Sequence, residues 1–140
     1  MKKYITNNIE ETKKVAEDLV SKLKDISFIA LIGNLGAGKT FFVKALAKKL
    51  GVVENITSPT FVLMKVYDTK NKKIKKLVHV DCYRLEGKED LDDIGLEDYM
   101  KEKNTLIIIE WADKISNLPV HSLKIKIEIK GKNKRKIIIE

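Results

Sequence analysis

Cysteine, proline, glycine and arginine are all scarce in this chain, and each shortage removes a class of protein. A single cysteine, Cys82, leaves no partner for an internal disulfide, so a hydrophobic core must hold the fold. Seven glycines and two prolines in 140 residues are too few for a linker-rich or disordered chain. The apolar runs, Phe28 to Ile32 and Leu106 to Ile109 among them, fall far short of the ~20 residues of a membrane span. With no signal-like start, a reducing cytosol is the expected compartment and no membrane partner is expected. Only two arginines, Arg84 and Arg135, stand among 28 basic residues, and no aromatic platform alternates with the lysines. The net charge of +8 therefore reads as exposed lysine before it reads as a nucleic-acid surface.

What is present is an ordinary apolar fraction, 44%, enough for one core in one domain over residues 1–140. Asn8 and Glu11 form a capping box ahead of an apolar stripe at Val15/Ala16, Leu19 and Leu23, which predicts a helix to about Lys24. A strand is expected over Ile26 to Ile32, running into GNLGAGKT. A second helix then follows from about Lys39 to Leu50, with Gly51 as its stop. Strands are further predicted near Val62 to Tyr67, Leu77 to Val80 and Leu106 to Ile109. Between the last two, a charged connector has a helical later half. Beyond Pro119, SLKIKIEIKG alternates strictly and KNKRKIIIE returns it as a hairpin. These elements predict a three-layer α/β domain with a mixed central sheet and a C-terminal antiparallel hairpin.

Gly33-x-x-x-x-Gly38-Lys39-Thr40 is a phosphate-binding loop in the right setting, after a strand and opening a helix. Its glycines let backbone N–H groups close on a phosphate, and the helix start adds a favourable dipole. Lys39 would reach the β- and γ-phosphates, and the Thr40 hydroxyl would hold Mg2+. A GTPase would also need the base-reading N-K-x-D, which is absent, and Asp92-Asp93-Ile94-Gly95 follows no apolar strand that would make it a switch. No signature loop of a transporter ATPase occurs. A small-molecule kinase stays open, although two arginines leave little for a basic lid.

Two runs end in acids, LVHVD at Asp81 and LIIIE at Glu110. A strand can end in an acid by reaching water. Beside a phosphate loop, such an acid is also the expected second element of a magnesium site. The Leu106–Ile109 run reads as buried on both faces, so Glu110 is favoured near the metal, while Asp81 qualifies by the same strand-end pattern. Ser58-Pro59-Thr60 is either a tight turn or a loop whose Thr60 senses the γ-phosphate. His79 reads first as a structural, hydrogen-bonded histidine. Cys82 has no ligand-spaced companion, Trp111 either caps the core beside the nucleotide or meets a partner, and His121 reads as surface.

The ordered blocks GNLGAGKTFFVKALAKKLG, ITSPTFVLMKVY, HVDCYRL, DLDDIGLEDY and IIIEWADK carry a resemblance to the bacterial TsaE (YjeE) family, over roughly residues 26–114. That resemblance implies a P-loop ATPase of tRNA threonylcarbamoyladenosine synthesis, with ATP and Mg2+ as cofactors. Asn34, Leu35, Gly36, Ala37, Gly38, Lys39, Thr40 and Phe41 would hold the nucleotide. Thr40, Glu110 and Asp81 would serve the metal, and Lys39, Asp81, Glu110 and Thr60 the chemistry. Tyr4, Ile5 and Arg135 would lie near the adenine. The family's turnover is weak alone and depends on TsaB-like and TsaD-like partners. The TsaD-like partner performs the transfer to adenosine 37 of tRNAs reading codons that begin with A, so tRNA is met only through the complex. Two departures stand out: Asn34 where Asp is usual, and Cys82 where Leu is common. An ATP-gated binding module that does not hydrolyse is the remaining alternative.

Overall fold

The computed structural model describes residues 1–23, 25–57, 64–85 and 91–140. The elements run β1 (Lys2–Thr6), α1 (Ile9–Val20), β2 (Phe28–Ile32), α2 (Lys39–Lys49), β3 (Met64–Asp68), β4 (Lys76–Asp81), α3 (Glu97–Lys101), β5 (Thr105–Glu110), β6 (Leu123–Ile129) and β7 (Arg135–Ile139), with a 3-10 turn at Ala112–Lys114. The strands form one sheet in the order β1-β7-β6-β2-β5-β4-β3. β2 pairs in parallel with both β5 and β6, and β4 with β5, whereas the two edges are antiparallel.

The isoleucine run makes β5 one of the two inner strands of the parallel part, flanked by β2 and β4, and every residue from Thr105 to Glu110 is buried. Continuous rather than alternating hydrophobicity is what such a doubly covered strand requires. Alternation along the strands then divides two cores. Ile29, Leu31, Leu106, Ile108 and Leu77 face α1 and α2 through Ala16, Leu19, Phe42 and Leu46. On the other face, Phe28, Ala30, Val78, Val80, Ile107 and Ile109 meet Leu91, Leu96, Ala112 and Ile115. The predicted three-layer α/β architecture with its mixed sheet and C-terminal hairpin is the one observed.

Helix α1 starts as expected: the Asn8 side chain accepts from the Glu11 N–H at 2.9 Å. The Glu11 carboxylate reaches back to the N–H of Asn7, one residue earlier than the box requires, at 2.7 Å. The helix ends at Val20, four residues before the predicted stop, while Leu23 is buried in the turn beyond it. Strand β1 is absent from the sequence reading, because five residues with a mixed pattern give no period. It exists by pairing with β7, Tyr4 opposite Ile137 and Thr6 opposite Arg135. The helical part of the charged connector is short, five residues of α3 after a turn over 91–95. Ser58, Pro59 and Thr60 lie outside the described residues, as do Val62 and Leu63 of the predicted strand. Among the described residues, no helix is long and apolar enough to cross a membrane.

Candidate functional site

The loop between β2 and α2 begins at Gly33, pressed so closely on β6 that a Cβ there would stand 2.7 Å from the carbonyl oxygen of Ile127. Gly36 and Gly38 have φ of 81° and 104°, values that suit glycine, and Gly38 opens α2 without a side-chain cap. The loop's carbonyls accept from two cations, Lys39 and Arg135. Lys39 Nζ donates to the carbonyls of Gly33 and, at 3.1 Å, Asn34. The Arg135 guanidinium donates to those of Ala37 at 3.0 Å and Gly36 at 3.3 Å. The same guanidinium holds the hairpin turn through Gly131 and Lys134. The Ala37 N–H also turns back on the Asn34 carbonyl at 3.0 Å, so the loop is closed by its own backbone as well as by the two cations.

Below the loop, β4 and β5 end side by side, with Asp81 in register with Glu110 and Leu31 of β2 in register with Glu110 on its other side. His79 and Glu110 occupy the strand positions that face α1 and α2, the face of Leu31 and Ile108. Glu110 is 2% exposed, and a carboxylate so buried must be bonded. It accepts from the Thr40 hydroxyl at 2.8 and 3.0 Å, and its Oε2 lies 2.5 Å from His79 Nε2. Asp81 is half-buried and accepts from the Tyr83 N–H at 2.9 Å, which turns the chain sharply after β4.

Trp111, directly after Glu110, adopts a left-handed backbone with φ 57°. Such a backbone costs a non-glycine residue about 1–2 kcal/mol. Its ring lies 4.0 Å beneath the Lys39 ammonium and tilts against Tyr83 with centroids 5.3 Å apart. Lys114 Nζ ties these two walls together by donating to the carbonyls of Tyr83 at 2.5 Å and Leu85 at 3.1 Å. Burial lowers the Lys39 pKa from the usual lysine value, against the attraction of Glu110, Asp81 and Asp113.

The structure thus gathers Lys39, Thr40, Asp81, Glu110 and Trp111 at one end of the parallel strands, where open α/β sheets bind ligands. Leu35 stands exposed at the loop's crest and Phe41 is half-buried on α2. The three residues expected near the adenine stand on the paired strands β1 and β7. Arg135 grips the loop's carbonyls. Tyr4 lines a cleft with Val15, Leu19, Ile26 and Leu123, and Ile5 is exposed. Both sit on β1, three strands from β2, because pairing with β7 fixes them there. Thr60 lies outside the described residues. Lys114 carried no readable role in the sequence, since one lysine among so many has no distinguishing pattern.

Comparison with known proteins follows the same lines. A family model described as threonylcarbamoyl adenosine biosynthesis protein TsaE matches residues 6–137. A Rickettsia felis protein named tRNA threonylcarbamoyladenosine biosynthesis protein TsaE is 41% identical over 133 residues, covering 94% of this chain and 75% of its own. A Bacillus subtilis protein of the same name is 38% identical over 136 residues, covering 96% and 82%. The crystal structure of Bacillus subtilis YdiB superposes with a TM-score of 0.73 at 32% identity, covering 99% of this chain and 83% of that one. Loop, paired strand ends and a match over nearly the whole chain lead to one conclusion: the chain belongs to the TsaE family.

Proposed function

We propose that the chain binds ATP with Mg2+ and hydrolyses it slowly to ADP and phosphate, and that TsaB-like and TsaD-like partners stimulate this turnover. Membership of the TsaE family supports a role in threonylcarbamoyladenosine modification of tRNA. The finer reading is an accessory ATPase serving modification of adenosine 37 in tRNAs that read codons beginning with A. The observation that carries the ATPase reading is the bond from Thr40 to Glu110 at the head of the phosphate-loop helix.

Thr40 has one proton, and giving it to Glu110 leaves its oxygen lone pairs for a cation. That donor chemistry fits Mg2+. Among the described residues no cluster of three or more His, Cys, Asp or Glu could hold a metal unaided. Mg2+ is usually held by one or two protein groups, with water and phosphate oxygens completing the shell. When bound, it screens the charge that builds on the transferred phosphoryl group. Lys39 would leave the carbonyls of Gly33 and Asn34 for phosphate oxygens, exchanging two neutral acceptors for a charged one. Asp81, at the neighbouring strand end, would orient water or the metal's hydration shell, and Thr60 would sense the γ-phosphate.

The test is ATP turnover measured with and without a TsaB/TsaD-like pair. Lys39→Ala and Glu110→Ala should both remove the stimulated turnover, and Lys39→Ala should also weaken triphosphate binding. Full activity in Glu110→Ala, with activity lost in Asp81→Ala, would reverse the assignment of the two acids.

A further inference from the structure

His79 is the polar side chain of this region that the proposed chemistry does not use. Its exposure is 0%, it sits on β4 two residues before Asp81, and its Nε2 meets the Glu110 carboxylate at 2.5 Å. Its Nδ1 has no hydrogen-bond partner among the described residues. Of the two neutral tautomers, the one with its proton on Nε2 fits this geometry. A proton on Nε2 leaves only a bare lone pair at Nδ1. The opposite tautomer would set a lone pair against a carboxylate oxygen and strand a buried N–H.

Glu110 has three side-chain torsions, and one bond to Thr40 cannot fix them all. A second donor on the far side of the carboxylate can. Oε2 is nearer to His79 and Oε1 nearer to Thr40, so the carboxylate is held from both sides. We propose that His79 is a positioning residue: its Nε2–H fixes the Glu110 carboxylate, and through it the Thr40 hydroxyl, in the orientation that serves the cation. The bond joins the strand carrying Asp81 to the strand carrying Glu110. The functional part of this inference rests on the Mg2+-ATPase reading; the proton on Nε2 does not.

Outer partners of metal-site groups typically change metal affinity or activity by about 10–100-fold. His79→Leu should therefore lower partner-stimulated turnover by about 10–100-fold and raise the Mg2+ concentration needed. ADP affinity measured in EDTA should stay within about threefold, because the loop and Lys39 are untouched. His79→Gln, whose amide nitrogen reaches about as far as Nε2, should recover turnover to within a few-fold of wild type, while the shorter His79→Asn should not. Turnover within about threefold of wild type in His79→Leu, or a loss of EDTA-condition ADP affinity in parallel with activity, would overturn the proposal. If His79→Leu does not fold, equal activity in the Gln and Asn variants overturns it. Nitrogen NMR of the wild-type imidazole reads the tautomer without any turnover: a proton on Nε2 is expected, and one on Nδ1 would refute the bond. Absent ATPase activity in wild type with the proton on Nε2 would remove the ATPase reading. The Mg2+ enhancement of ADP binding would then decide for His79, its loss in His79→Leu supporting the role and its retention refuting it.

Discussion

Gly33→Ala is the sharpest perturbation of the phosphate loop, because the obstacle is backbone and cannot rotate away. The new Cβ would stand 2.7 Å from the Ile127 carbonyl oxygen and 3.2 Å from the Ala37 Cβ. Ordinary contact begins near 3.4 Å, so loop and β6 must separate by about 0.7 Å. Neither side yields easily. Ile127 is paired on β6 with Ile137 of β7, and the loop is tied to the same hairpin by Arg135. Overpacking of this kind costs about 1–3 kcal/mol. At about 2 cal/mol/K of unfolding entropy per residue, that is a fall in Tm of about 3–10 °C. A loop displaced by that much also loses the fit of its N–H groups to phosphate, and ATP affinity should drop at least about tenfold. Gly131→Ala is the control. Its Cβ would meet the Lys134 Cβ at 3.4 Å, so Tm should hold or rise slightly. Calorimetric melting and nucleotide titration of both variants read the result. An unchanged Tm and unchanged affinity in Gly33→Ala would refute the claim that the hairpin fixes the loop.

Thr40→Ser should keep most turnover, while Thr40→Val, which lacks the hydroxyl bonded to Glu110, should lose about 100-fold or more in a steady-state phosphate-release assay. Arg135→Lys keeps the charge but loses the planar fork that reaches two loop carbonyls, and ATP affinity should fall about 5–10-fold by titration calorimetry. In nucleotide-free protein, Lys39 should deprotonate at lower pH than the exposed lysines, because burial disfavours its charged form; dimethyl-lysine NMR would follow it. Its charge is thus lost first as pH rises, and nucleotide affinity should fade on the alkaline side accordingly. Trp111 is the sole tryptophan and lies 4.0 Å from the Lys39 ammonium, so ATP binding should change its fluorescence, and Lys39→Met should abolish that change.

The legible parts of this molecule were those with a strong local period or a fixed spacing. The loop, α2, the buried β5 and the alternating hairpin each announce themselves in a few consecutive residues. For Glu110, burial at the end of an apolar strand led to the expectation of a cation beside it, and the partner the structure shows is the Thr40 hydroxyl, 70 residues away. What escaped depends on contacts between distant residues. Strand β1 has no signal of its own and is made by β7. Arg135 grips carbonyls 98 and 99 residues away, which no local pattern encodes. His79 read correctly as bonded, yet its partner across two strands could come only from the register. The left-handed Trp111 was invisible because its strain belongs to a turn set by packing on both sides.

The reach of Arg135 also has a consequence in time. The phosphate loop leaves the ribosome roughly a hundred residues before the side chain that braces it. At about 5–20 residues per second, that interval is about 5–20 s. During it the nascent chain carries a complete nucleotide-binding motif without its brace, and β2 lacks its β6 neighbour. The brace therefore reaches the loop late, when the hairpin closes. A chain stalled in synthesis before residue 135 would carry the phosphate-loop motif without the guanidinium that braces it.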